Sequence, residues 1–129
     1  MLMHKKLFPL LMLGLLMTGC ANTSISRLTP QHVFRNPDGF YSLEAELDST
    51  RQALRWNTVK ATAYIGTQPY PMERVLMMTN RWETLVPISA GQSSITYRFK
   101  FDYDVNSFGK PPQPDSTWSR SFKLDVLEK

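Results

Sequence analysis

Two pairs of carboxylates stand two residues apart in this chain, Glu44 with Glu46 and Asp102 with Asp104. On a strand, residues i and i+2 project to the same face, so either pair could ligate a calcium ion or divide into an acid and a base. Arg98 and Lys100 share the phase of Asp102 and Asp104. Opposite charges on one sheet face compensate one another, so a solvated polar face is the simpler reading. His32, the one histidine beyond His4, falls in a polar stretch between Pro30 and Pro37 and is expected to be a solvated linker residue. No His, Cys and carboxylate grouping has metal-ligand spacing. No glycine-rich phosphate loop and no G-x-S-x-G elbow occurs. The expectation is a non-catalytic protein without cofactor or metal.

The aromatic residues offer a different chemistry. Tyr70, Phe108 and Trp118 fall in or near proline-rich segments. Aromatics flanked by proline form rigid platforms on which a sugar ring or a partner's proline stacks, and they equally cap the open end of a sandwich. Capping is the commoner role. Trp56 and Trp82 sit in the core phases of their segments, so burial is expected for both.

The only cysteine, Cys20, follows the apolar run LFPLLMLGLLM at 7–17, with Lys5 and Lys6 before it and Thr18-Gly19 between. The run is shorter than the roughly 20 residues that a membrane-spanning helix needs. It suits a secretory signal with a basic flank. Met17-Thr18-Gly19-Cys20 resembles the lipobox of bacterial lipoproteins. That resemblance implies cleavage after residue 19, a diacylglyceryl thioether on Cys20, and a palmitate-type acyl group on its amine. Acylation also disposes of the odd thiol, which in an exported protein is otherwise a reactive liability. Two or more acyl chains give durable attachment. Ala21 stands where an aspartate would favour retention at the inner membrane, so the resemblance places the protein at the outer membrane, on its periplasmic or surface side.

Removing 19 of the 129 residues leaves 110, enough for one domain with one core. Taking Lys5 and Lys6 from the 15 Lys and Arg leaves 13 against 11 Asp and Glu, a net charge of +2 in place of +4. No cluster of cations suggests nucleic acid. Residues 20–38 read as a lipidated, flexible tether reaching roughly 20–25 Å from the bilayer, and residues 39–129 as the folded domain.

The elements that must position these side chains are strands. GFYSLEAELD alternates Tyr41, Leu43, Ala45 and Leu47 with polar residues. RQALRW and VKATAYI read as two further strands. The prolines of 66–71 break the pattern. RVLMM reads as a short apolar strand, and WETLVPI as another. ITYRFKFDYDV places Ile95, Tyr97, Phe99, Phe101, Tyr103 and Val105 on one face, the pattern of a central strand. NSFGKPPQPDS reads as a long irregular loop, and SFKLDVL closes the chain with Phe122, Leu124 and Val126 inward. About seven strands in a chain of this length predict an all-β, immunoglobulin-like antiparallel β-sandwich, with a small barrel as the competitor.

Trp82-Glu83, Val86-Pro87-Ile88, Gly91 and Tyr97-Arg98-Phe99-Lys100-Phe101-Asp102 together resemble the second half of glycogen-binding-type carbohydrate modules, an early-set immunoglobulin-like family. Tyr64-Ile65-Gly66 and Pro71-Met72 echo its first half. The resemblance covers about half of the mature chain, mostly at fold-forming positions, and has no counterpart of the family's loop tryptophan. The expected function is a small envelope lipoprotein that presents its sandwich to a protein partner. The alternative is a carbohydrate-binding module using loop aromatics. In either case the proline-flanked loops, more than the charged sheet face, are expected to carry binding.

Overall fold

The computed structural model describes residues 22–129. The leader 1–19 and the lipidation position Cys20 lie outside the described residues. Ten strands and no helix occur among those described: β1 (Thr23–Arg27), β2 (His32–Phe34), β3 (Phe40–Ser49), β4 (Leu54–Ile65), β5 (Gln68–Pro71), β6 (Glu73–Arg74), β7 (Arg81–Pro87), β8 (Ser94–Ser107), β9 (Lys110–Trp118) and β10 (Phe122–Leu127). They form two sheets. One has the order β1-β3-β7-β6; the other runs β2-β10-β8-β4-β5, with β9 also beside β8. The fold is an all-β sandwich, antiparallel throughout except where β2 runs parallel to β10.

Alternation decides which side chains fill the space between the sheets. From β3 come Tyr41, Leu43, Ala45 and Leu47; from β7, Trp82 and Val86; from β10, Phe122, Leu124 and Val126. All six apolar residues of β8 from Ile95 to Val105 are buried. At roughly 1.5–3 kcal/mol each, they contribute on the order of 10 kcal/mol before chain entropy is charged against them. Trp82 meets Phe101 edge-on across the core, with ring centroids 5.1 Å apart and planes at 81°.

β8 is central, as its alternation predicts. β4 pairs with it from Tyr97 to Val105 on one side. The other side is shared: β10 takes Ser94 to Tyr97, and β9 takes Lys100 to Ser107. The handover occurs at Ser119. The Phe99 amide donates to Ser119 Oγ at 2.8 Å, and the Ser119 amide donates back to the Phe99 carbonyl at 2.9 Å.

Several expectations are corrected. The stretch given to a flexible tether contains two strands of the sandwich. β1 pairs with β3 from Thr23↔Ser49 to Arg27↔Ala45, and β2 pairs with β10. Each turns a single apolar residue inward, Ile25 or Val33, too few to show a period. His32 accordingly sits on a strand, 3.3 Å from Asp125. The two segments RQALRW and VKATAYI are one strand, β4, whose pairing slips between Arg55 and Lys60. Thr58 fills that break, donating to the Arg55 carbonyl at 2.6 Å and accepting from the Asp104 amide at 2.8 Å. Trp56 falls in the break, so it is partly buried at the margin of the core. The 66–71 segment is a tight turn followed by edge strand β5, where prolines are tolerated because one side has no ladder. RVLMM is no strand beyond Arg74. It turns at Val75–Met78, the Met78 amide donating to the Val75 carbonyl at 3.0 Å, with Met77 at φ +64. The supposed long loop at 106–116 is a tight turn and edge strand β9, with Gly109 supplying the positive φ of the turn.

Candidate functional site

The alternation that buries Tyr97, Phe99 and Phe101 sends Arg98, Lys100 and Asp102 to the outer face of the six-stranded sheet. Register then assembles the neighbours. Tyr64 of β4 lies opposite Arg98, and Thr62 opposite Lys100. On the other flank Trp118 of β9 lies opposite Lys100. The Trp118 ring reaches across β8 to Tyr64, with centroids 5.1 Å apart and planes at 46°. The Arg98 guanidinium carbon lies 4.2 Å from the Trp118 ring centre and the Lys100 ammonium 5.4 Å from it. Lys100 also pairs with Asp102 at 3.4 Å, the local compensation that the shared phase implies. Trp118 itself remains 43% exposed. A depression of about 310 Å³, lined by Tyr64, Gly66, Thr96, Tyr97, Arg98 and Ser121, adjoins this cluster.

Position is fixed from beneath. The Ser119 bonds to Phe99 hold the chain immediately after Trp118 against β8. The Tyr97 side chain points the other way, into the core, packed edge-on to Phe99 at 5.4 Å, and anchors the backbone beneath the depression. Burial raises the Tyr97 phenol above the usual tyrosine range, with the Arg27 charge and Thr29 offsetting part of that rise. The phenol is therefore neutral at ordinary pH and acts neither as a base nor as an oxyanion. What the face offers is cation–π contact, a broad aromatic surface and hydrogen-bond donors, which is chemistry of recognition.

The outer face of the four-stranded sheet has another character. Glu44 lies opposite Glu83, and Glu83 opposite Glu73, so three carboxylates cross β3, β7 and β6 in one row. A trough of about 540 Å³ runs beside them, lined by Ser42, Pro71, Glu73, Glu83, Thr84 and Leu85. Glu46 lies apart from this row, accepting a hydrogen bond from the Asn80 amide group at 2.9 Å. No grouping of three or more His, Cys, Asp or Glu among the described residues could hold a metal ion.

The three aromatics singled out in the sequence do not come together. Tyr70, opposite Ala63 on β5, turns inward and packs partly buried against the core. Phe108 is the tip of the β8–β9 hairpin and is fully exposed at 105%. Trp118 is at the far end of the same hairpin, about 25 Å away at roughly 3.3 Å per residue along β9. It belongs to the charged sheet face, so the contrast between aromatic loops and a charged face does not hold: Arg98 and Lys100 are the residues that flank it. Tyr64 was visible only as part of a family echo. Its place beside Trp118 depends on β9 being a strand, which its composition conceals.

No protein-family model and no curated protein matches this chain.

Proposed function

We propose that this protein is a non-catalytic, lipid-anchored envelope protein whose sandwich binds a protein partner through the outer face of the six-stranded sheet, centred on Trp118. The observation that carries the reading is the grouping of an exposed tryptophan with Tyr64, Arg98 and Lys100 on one rigid sheet. Trp, Tyr and Arg are the residues enriched at the energetic centres of protein interfaces. Held by strands and by the Ser119 bonds, they lose little conformational entropy when a partner covers them. The anchor is supported by the basic flank, apolar run and Thr18-Gly19-Cys20 of the leader, and Ala21 supports the outer membrane as its destination.

A second reading, a carbohydrate module, draws support from the exposed indole beside a depression lined with hydroxyls. Against it stands Arg98, which occupies a face of the indole on which a pyranose would stack. The test is the variant Arg98→Ala/Trp118→Ala, compared with wild type after mild solubilisation of the membranes. The wild type should retain a defined protein that the variant loses. The variant's melting temperature should fall by no more than about 4–8 °C, the shift for roughly 1 kcal/mol of lost surface packing. Retention on immobilised polysaccharide that only the wild type shows would favour the carbohydrate reading. A partner retained equally by both would refute the proposed surface.

A further inference from the structure

Four segments meet at one end of the sandwich. The chain enters there at Asn22, whose amide donates to Thr50 Oγ1 at 3.0 Å and whose carbonyl accepts from the Thr50 amide at 2.9 Å. The β3–β4 turn around Thr50 is the second segment. The β6–β7 turn joins it, Asn80 accepting from the Leu47 amide at 2.9 Å, and the β8–β9 hairpin joins it through the Asn106 amide on the Ala53 carbonyl at 2.8 Å. The two projecting turns end in apolar side chains that touch little else. Leu76 is 87% exposed and Met77 94%, with Phe108 bare at the tip of the hairpin. Met77 is also the single non-glycine residue at positive φ among those described, a backbone state uncommon for such a side chain. Large apolar groups at the apex of tight turns contribute nothing to the core. Lys110 stands two residues from Phe108, whereas Arg74 turns back on the domain, donating to the Trp56 carbonyl at 2.7 Å with its guanidinium 4.8 Å from the Trp82 ring centre. A cation set back from an apolar tip suits a headgroup layer, where its stem lies along apolar surface and its charge stays in water.

The place where the chain leaves the described structure says what covers this end. Only Ala21 separates Asn22 from Cys20, two steps of chain that span at most about 7 Å when extended. The tether of 20–25 Å expected from composition does not exist, because β1 begins at Thr23. We infer that this end of the sandwich docks on the phospholipid surface, with Leu76, Met77 and Phe108 entering the headgroup–acyl boundary and fixing the domain's orientation. The inference rests on acylation of Cys20 as proposed above. Asp48 lies at the same end, at the close of β3, and keeps it from being strongly basic. Insertion rather than charge is thus the basis of docking, and zwitterionic lipid suffices for it. With this end on the bilayer, the Trp118 face stands on the flank of the domain and remains open to a partner.

The experiment uses the full chain, purified from membranes and reconstituted in phosphatidylcholine–phosphatidylethanolamine vesicles. With the Cys20 sulfur in a thioether, a cysteine introduced by Leu76→Cys, Phe108→Cys or Ala90→Cys is the only free thiol. Ala90 is in the turn at the opposite end. A polarity-sensitive fluorophore on position 76 or 108 should shift to the blue and lose most of its emission to nitroxide-bearing lipids; on position 90 it should do neither. Labels at 76 and 108 that behave like the label at 90 overturn the docking. Failure of the anchor shows separately, as maleimide uptake by wild-type Cys20. In that event, flotation with the same vesicles that the triple variant Leu76→Ser/Met77→Ser/Phe108→Ser loses still supports docking, and wild type that does not float overturns it.

Discussion

β8 and β9 are the two arms of one hairpin, paired from Lys100↔Trp118 to Ser107↔Lys110 with one slip between Val105 and Ser107, yet they contribute different things. On β8 every second residue from Ile95 to Val105 is buried. On β9 only Thr117 and Trp118 are covered to any extent, the Thr117 hydroxyl 2.6 Å from that of Tyr103 and Trp118 still 43% exposed. β8 has partners along both sides; β9 has one partner and a free edge carrying Pro111, Pro112 and Pro114, residues that blunt an edge against further pairing. A strand that covers the core must alternate. A strand that covers little of the core is free to use its side chains outward. The stability of the sandwich therefore concentrates in β8, and its outward chemistry at the two ends of β9, in Trp118 and Phe108.

The sharpest way to break this comparison is to truncate one residue on each arm. Phe101→Ala should lower stability by about 3–5 kcal/mol, the usual loss for a buried phenylalanine. Gln113→Ala, on β9 across from Val105, should change it by less than about 0.5 kcal/mol. Urea melts read both. Similar losses from the two would show that β9 carries core energy after all.

A smaller effect sharpens how β9 is held. The Arg51 guanidinium, 2.9 Å from Asp115, holds that carboxyl below the usual aspartate range, helped by the Ser116 amide. A depressed folded pKa means that the pair stabilises the protein above the unfolded value, near 3.9, and that this stability is lost as pH falls through the lower folded value. Both groups are well exposed, so the contribution is a few tenths of a kcal/mol. The gap in urea midpoint between wild type and Asp115→Asn should be present at pH 7 and close as pH drops below about 4. A gap unchanged at low pH would mean that the ion pair contributes nothing.

The same contrast explains what the sequence could disclose. β3, β7, β8 and β10 were legible because each covers the core and so alternates. β1, β2 and β9 were not: Ile25 is the only apolar residue on the inward side of β1, Val33 the only one on that of β2, and β9 has only Thr117 there. RVLMM misled in the other direction: an apolar run signals a strand only if something covers it, and Leu76 and Met77 are bare. The candidate site was half visible. Trp118 stood out by composition, and Arg98 and Lys100 stood out by phase, but as a solvated face. What joins them, with Tyr64, is the pairing of β8 with β9, and backbone pairing at an edge leaves no mark in side-chain hydrophobicity.

The central claim is that the Trp118 face is where a partner protein sits. The most direct measurement is photo-crosslinking in intact cells, with p-benzoylphenylalanine in place of Lys60 on the outer face of the six-stranded sheet or of Glu83 on the outer face of the four-stranded sheet. Lys60 is exposed and lies on β4 opposite Asp102. The expected result is a discrete adduct with another protein from position 60, absent from position 83 and lost when Trp118→Ala is added. An adduct from position 83 alone, or one from position 60 that persists without Trp118, would contradict the account.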